Sequence, residues 1–231
     1  MLSQISRKHI VQGARSFGAQ TNTNAYHKAL NEKYVCQNYS PYPVAIERGE
    51  RIHVWDVEGR KYQDWMSGFG STNQGHCHPE IIKALIEQAP KLTQTSRSFL
   101  NTQMGTFAEY LCNVMGYEMF LPSSTGVEAC ESACKLARKW GYNVKGVEHD
   151  KASIIMANGN FWGRSITASG ACDDPSRYTG FGPFTPGFPL VDYNDVDAVE
   201  AMFKADPNIV GIMVEPIQGE GGIIMPQEGY L

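Results

Sequence analysis

From Tyr117 onward the chain follows one order repeatedly, a short apolar run, then a turn of small or polar residues, then an amphipathic stretch. YEMFLP leads through SSTG into VEACESACKLARKWG, ASIIMA leads into GNFWGRSITASG, and the helical DVDAVEAMFKA is followed by NIVGIMVEP. Alternation of strand and helix lays successive strands side by side in one direction, because each helix carries the chain back to the end of the sheet where the strands begin. The spacing therefore predicts an α/β domain with a mostly parallel sheet flanked by helices. In such sheets ligands sit at the carboxyl ends of the strands, which puts the chemistry at the junctions.

Upstream of this region, YSPYPVAIERGERIHVWDVEGRKYQDWMS alternates apolar and polar positions across Ile52, Val54 and Asp56 and turns at Glu58-Gly59, a hairpin. Pro79 suits the first position of a helix with an apolar stripe of Ile81, Ile82, Leu85, Ile86 and Ala89. A second helix is expected from about Thr102 to Met115, with Phe107, Leu111 and Val114 on its buried side and Gly116 at its end. The stretch from Cys172 to Pro189, rich in Gly, Pro and aromatics, is expected to be an ordered surface excursion.

Composition removes several classes. The formal net charge of -4 argues against a general nucleic-acid surface, and the apolar runs are too short for the ~18 residues that a membrane helix needs. Six cysteines without a CxxC pair are read as reduced thiols. His76-Cys77-His78 lacks further ligands at matching spacing, so no metal site is expected. The first ~20 residues carry Arg7, Lys8 and Arg15 and no acid, with Leu2, Ile5, Ile10 and Val11 able to form one helix side. That is the character of a mitochondrial presequence. The chain is accordingly divided into a presequence over 1–25, a hairpin-bearing N-terminal segment over 26–69, and a large domain over 70–231.

Three junctions carry candidate site residues. Ser123-Ser124-Thr125-Gly126-Val127 opens a helix running to about Trp140, where unpaired amides, the helix dipole and a bare Gly126 favour a phosphate. Ser and Thr also cap helices with no ligand present. GNFWGR offers rings at Phe161 and Trp162 and a guanidinium at Arg164 for stacking and carboxylate binding. The same residues could belong to a core and a surface ion pair. VEPIQGEGG ends an apolar strand in Glu215, with Glu220 in the following turn. These acids either balance a cationic group or mark a strand terminator and a solvated loop.

In this order SSTGVEA, GNFWGR and VEPIQGEGG resemble the class III aminotransferases, fold type I pyridoxal-phosphate enzymes, and the likeness runs from about Tyr34 to Leu231. QNYSPYPVAIERG, WDVEGRKYQDW, NQGHCHP, KLTQTSRSF and GFGPFTPGF extend it. The resemblance implies an incomplete fold type I large domain, with the N-terminal hairpin belonging to the small domain. It implies that Thr125, Gly126 and Val127 hold the phosphate of pyridoxal 5'-phosphate, that Phe161 stacks on its ring, and that Glu215 lies beside it. It further implies that Arg164 binds the α-carboxylate of ornithine, Tyr39 its α-amine, and Trp162 a wall of the same pocket. Glu220 would pair with a distant arginine and release it for the α-carboxylate of glutamate. Phe69 stands where a tyrosine is usual in this branch of the family.

The implied reaction moves the δ-amino group of ornithine to 2-oxoglutarate, in a homo-oligomer of the mitochondrial matrix. Another ω-aminotransferase of the family, or a non-catalytic fragment, is the alternative. No lysine of the chain matches the family's Schiff-base motif, and the aspartate that pairs with the pyridine nitrogen has no counterpart. Both are expected beyond Leu231, so these 231 residues alone are not expected to catalyse the reaction.

Overall fold

A computed structural model describes residues 22–231; the basic N-terminal segment, and with it the presequence expectation, lies outside the described residues. The chain forms two compact units that divide between Met104 and Gly105.

The first unit begins with helix α1 (Asn24–Tyr34), capped by Thr23, whose hydroxyl accepts the N–H of Tyr26. Buried Asn24 accepts the Ala45 N–H at 2.6 Å and donates to Asp56 at 2.9 Å. Thr23, Asn24 and Ala25 thus belong to the folded unit, which starts before residue 26. Strands β1 (Ile46–Glu50), β2 (His53–Asp56) and β3 (Lys61–Gln63) form an antiparallel meander in that order. The hairpin expected from the sequence is the β2–β3 pair, and Gly59 supplies the positive φ of +82 in its turn. Of its alternating positions, Val54 and Asp56 are buried, whereas Ile52 is exposed in the tight turn that joins β1 to β2.

Asp56 is the hub of this unit. Burial alone would push its carboxyl up, but hydrogen bonds from Asn24, the Arg60 backbone, Tyr62 and the Arg60 guanidinium hold it well below the usual carboxylate range. Further along, Asp64 closes a loop at both ends. One oxygen accepts the N–H groups of Met66 and Ser67, and the other lies 2.7 Å from His76 Nε2. Inside the loop is a 3-10 turn over Ser67–Gly70, where Ser67 and Phe69 hold φ of 50 and 54. Such values are uncommon for residues with a Cβ and are found where the surroundings enforce them. Helix α2 (Pro79–Gln88) follows, with Pro79 at its first turn and Ile81, Leu85 and Ile86 of its apolar stripe exposed.

The second unit carries the α/β core. Its elements are α3 (Met104–Met115), α4 (Gly126–Trp140), β4 (Ser153–Ala157), α5 (Ile166–Gly170), α6 (Pro175–Tyr178), β5 (Leu190–Val191), α7 (Val196–Ala205) and β6 (Ile209–Met213). The sheet is parallel with order β5-β4-β6. Every residue of the central β4 is buried, as expected of a strand covered on both faces. Ile154 and Met156 pack with Cys134 and Ala137 of α4, while Ile155 faces Ala198, Val199 and Met202 of α7.

Two expectations are corrected here. Tyr117–Pro122 is not a strand: it pairs with none of β4, β5 and β6, and a strand persists only where a neighbour completes its ladder. Phe107 and Val114 of α3 are exposed; Phe107 meets Phe120 edge to face with centroids 5.6 Å apart. Gly116 does end α3, at φ +74 and with its N–H on Cys112 O.

Candidate active site

The N-terminus of α4 is prepared by Thr125. Its hydroxyl accepts the Glu128 N–H at 3.3 Å and donates to the Glu128 carboxylate at 3.1 Å, which fixes the cap. The first amides of a helix have no partner within it. At Gly126 an added Cβ would meet open space, so a ligand can approach the backbone there.

The loop after β4 comes down onto this helix end. Gly163, at φ +144, passes so close that a Cβ on it would lie 2.3 Å from Val127 Cγ2. The loop after β6 joins the pair: Glu215 accepts the Phe161 N–H at 3.2 Å, and Tyr193 donates to the Glu215 carbonyl at 3.0 Å. Buried Gln218 spans the two loops, donating to Asn158 O at 2.7 Å while its backbone pairs with Ile224. All three junctions therefore meet at the carboxyl ends of β4 and β6.

They enclose a cavity of ≈ 660 Å³. Gly126 and Val127 line it from the first junction, Phe161, Trp162 and Arg164 from the second, and Glu215 from the third. Thr125 caps the helix at its margin. Glu220 stands in the turn beyond, 3.9 Å from Arg177. Tyr39 and Phe69 are exposed residues of the first unit.

Sequence reasoning missed Cys130, Met156, Asn160 and Met213, which also line the cavity. Cys130 was findable: it lies one helical turn beyond Gly126 and so shares its face. Burial, with Glu131 and Glu215 adding to it, pushes its thiol pKa up. In the core behind it burial takes Cys134 to about 11. Neither is a ready nucleophile.

The lining suits a ligand with an anionic group, a flat ring and a cationic edge. Helix amides offer a phosphate site, Phe161 an aromatic face, and Glu215 a carboxylate. Trp162 and Asn160 both line the cavity, and their buried Nε1 and Oδ1 atoms have no hydrogen-bond partner in the structure. Pyridoxal phosphate has this make-up, and the residues fit it.

This chain belongs to the aminotransferase class-III family, which matches residues 34–231, and members of that family are pyridoxal-phosphate enzymes. Within it, the chain is similar to the mitochondrial ornithine aminotransferase of Rattus norvegicus, 54% identical over 199 residues covering 86% of this chain and 45% of that protein. The ornithine aminotransferase of Toxoplasma gondii, whose structure showed partial occupancy of PLP, superposes with a TM-score of 0.92 at 46% identity over 97% of this chain and 52% of that one. The acetylornithine aminotransferase of Elizabethkingia anophelis gives 0.78 at 41% identity over 91% and 49%. The chain spans about half the length of these relatives.

Proposed function

We propose that this chain forms the phosphate-binding and carboxylate-binding side of an aminotransferase site, and that the complete protein moves the δ-amino group of ornithine to 2-oxoglutarate, giving glutamate semialdehyde and glutamate. The supporting observation is the convergence of Gly126, Val127, Phe161, Trp162, Arg164 and Glu215 on one cavity. In this reading Thr125, Gly126 and Val127 receive the cofactor phosphate, Phe161 carries its ring, and Glu215 holds the Phe161 backbone while lying beside it. Arg164 takes the α-carboxylate of ornithine, against the wall formed by Trp162. Held there, the distal amine is the one that reaches the reacting position, which is how two similar amines are told apart. Tyr39 and Phe69 are read as substrate-facing, and Glu220 as the acid that holds and releases an arginine. Pyridoxal phosphate supplies the electron sink. No lysine is among the residues that line the cavity. A homo-oligomer of the mitochondrial matrix completes the proposal; the rat relative is named mitochondrial.

The test is turnover by the complete protein with pyridoxal phosphate, comparing ornithine with other ω-amines as donors to 2-oxoglutarate. Arg164→Lys keeps the charge and loses the two-pronged grip, and is expected to raise the KM for ornithine roughly tenfold or more. A greater kcat/KM for another ω-amine would favour the second reading, an ω-aminotransferase of different specificity, which Phe69 in place of the usual tyrosine supports.

A further inference from the structure

Helix α6 sits in the excursion between Cys172 and Pro189, away from the three junctions in sequence, yet its Arg177 reaches two of them. Arg177 Nη1 donates to Asn160 O at 3.1 Å, and the guanidinium carbon lies 4.9 Å from the centre of the Phe161 ring. Its Nη2 is 3.9 Å from Glu220, and its Nε is 3.2 Å from Asp174. The neighbouring Asp173 accepts the Gly159 N–H at 2.8 Å, so the whole start of α6 is docked on the loop that carries Phe161. Arg177 does not line the cavity, whereas Phe161 does, so it acts on the ring from outside.

The charges around this end of the cavity are unequal. Glu215, Glu220, Asp173 and Asp174 are acidic, and the cations among these groups are Arg164 and Arg177. Two cations against four acids leave the rim net acidic, so each arginine lessens the penalty that an arriving dianion meets and loss of either one increases it. A substrate of net positive charge meets the opposite balance.

We propose that Arg177 is a positioning and specificity residue: by pairing with Glu220 and holding the Phe161 loop it offsets part of the acidic rim of the cavity and so shifts the balance between the two substrates toward the dicarboxylate. This rests on the substrate pair proposed above. At neutral pH ornithine carries a net positive charge and 2-oxoglutarate two negative charges, so loss of one cation affects them in opposite directions. A residue that mattered only for folding would weaken both.

The experiment uses the complete holoenzyme and two readouts, the KM for each substrate and the dissociation constant of glutarate, a dicarboxylate without a reactive keto group. Arg177→Gln is expected to raise the KM for 2-oxoglutarate and weaken glutarate roughly three- to tenfold, leaving the KM for ornithine unchanged or lower. The difference should shrink as salt is raised through the range that screens such charges. Arg177→Lys should restore most of the glutarate affinity. Asp174→Asn, which removes an acid from the same rim, should shift glutarate binding the other way, and it serves if Arg177→Gln does not fold. An equal rise of both KM values, a lysine variant as impaired as the glutamine variant, or an unchanged glutarate constant would each overturn the proposal. If the unsubstituted protein failed to turn over ornithine, the functional reading would fall, while glutarate binding would still report on Arg177.

Discussion

Phe161 and Thr125 show how much one side chain decides at this site. The Phe161 ring lines the cavity while its N–H is fixed by Glu215 and its outer side meets Arg177, so its plane is set before any ligand arrives. Phe161→Leu retains apolar volume but loses the flat face, and cofactor affinity should fall roughly fivefold in an absorbance titration, consistent with about 1 kcal/mol for a stacked aromatic contact. An unchanged dissociation constant would remove stacking from the account. Thr125 has a separate duty as a cap. Thr125→Ala should cost about 1 kcal/mol of stability to denaturant, whereas Thr125→Ser, which keeps the oxygen, should cost much less. Equal losses in the two variants would show that the methyl group and not the hydrogen bond matters.

At the scale of elements, stability is concentrated where one group joins several. Asp56 ties α1 to the meander, and its carboxyl is held below its ordinary value although it is buried. The native state therefore releases this proton more readily than the unfolded chain does. Its contribution is complete above the unfolded value of about 4 and is lost as pH falls from there toward the lower folded value. Asp56→Asn should destabilise the protein at neutral pH and flatten the fall of its urea midpoint below about pH 4; parallel pH profiles in parent and variant would exclude Asp56 as the cause. Gly163 is the corresponding point in the second unit. Gly163→Ala faces both a positive φ and the Val127 side chain, so it should loosen the meeting of the first two junctions and weaken cofactor binding more than it lowers the melting temperature. The three junctions were legible in sequence because each joins a local pattern to a turn. Asp56 as a hub was not, since nothing local distinguishes a buried aspartate from a solvated one in an alternating strand. The absent strand at Tyr117–Pro122 and the contacts of Arg177 depend on neighbours distant in sequence, which periodicity does not report.

For the molecule as a whole the property to test is substrate choice, and Phe69, proposed above to face the substrate, is where the test is made. Asp64 holds the loop at Met66, Ser67 and His76, which maintains Phe69 at a positive φ that the ring would not choose unaided. The His76 hydrogen bond and the Ser67 N–H hold the Asp64 carboxyl below its usual range, so the clamp is charged at neutral pH. The backbone is thus fixed independently of the side chain, and Phe69→Tyr should add a hydroxyl without moving the loop. A pocket that hydrogen-bonds its substrate discriminates far better than one that fits by shape alone. In the complete enzyme Phe69→Tyr should therefore raise kcat/KM for ornithine relative to other ω-amines by roughly tenfold, the order of one well-placed hydrogen bond. If the ratio stays constant while the loop is intact, Phe69 has no part in specificity, and the discrimination must come from Arg164 and the groups that surround it.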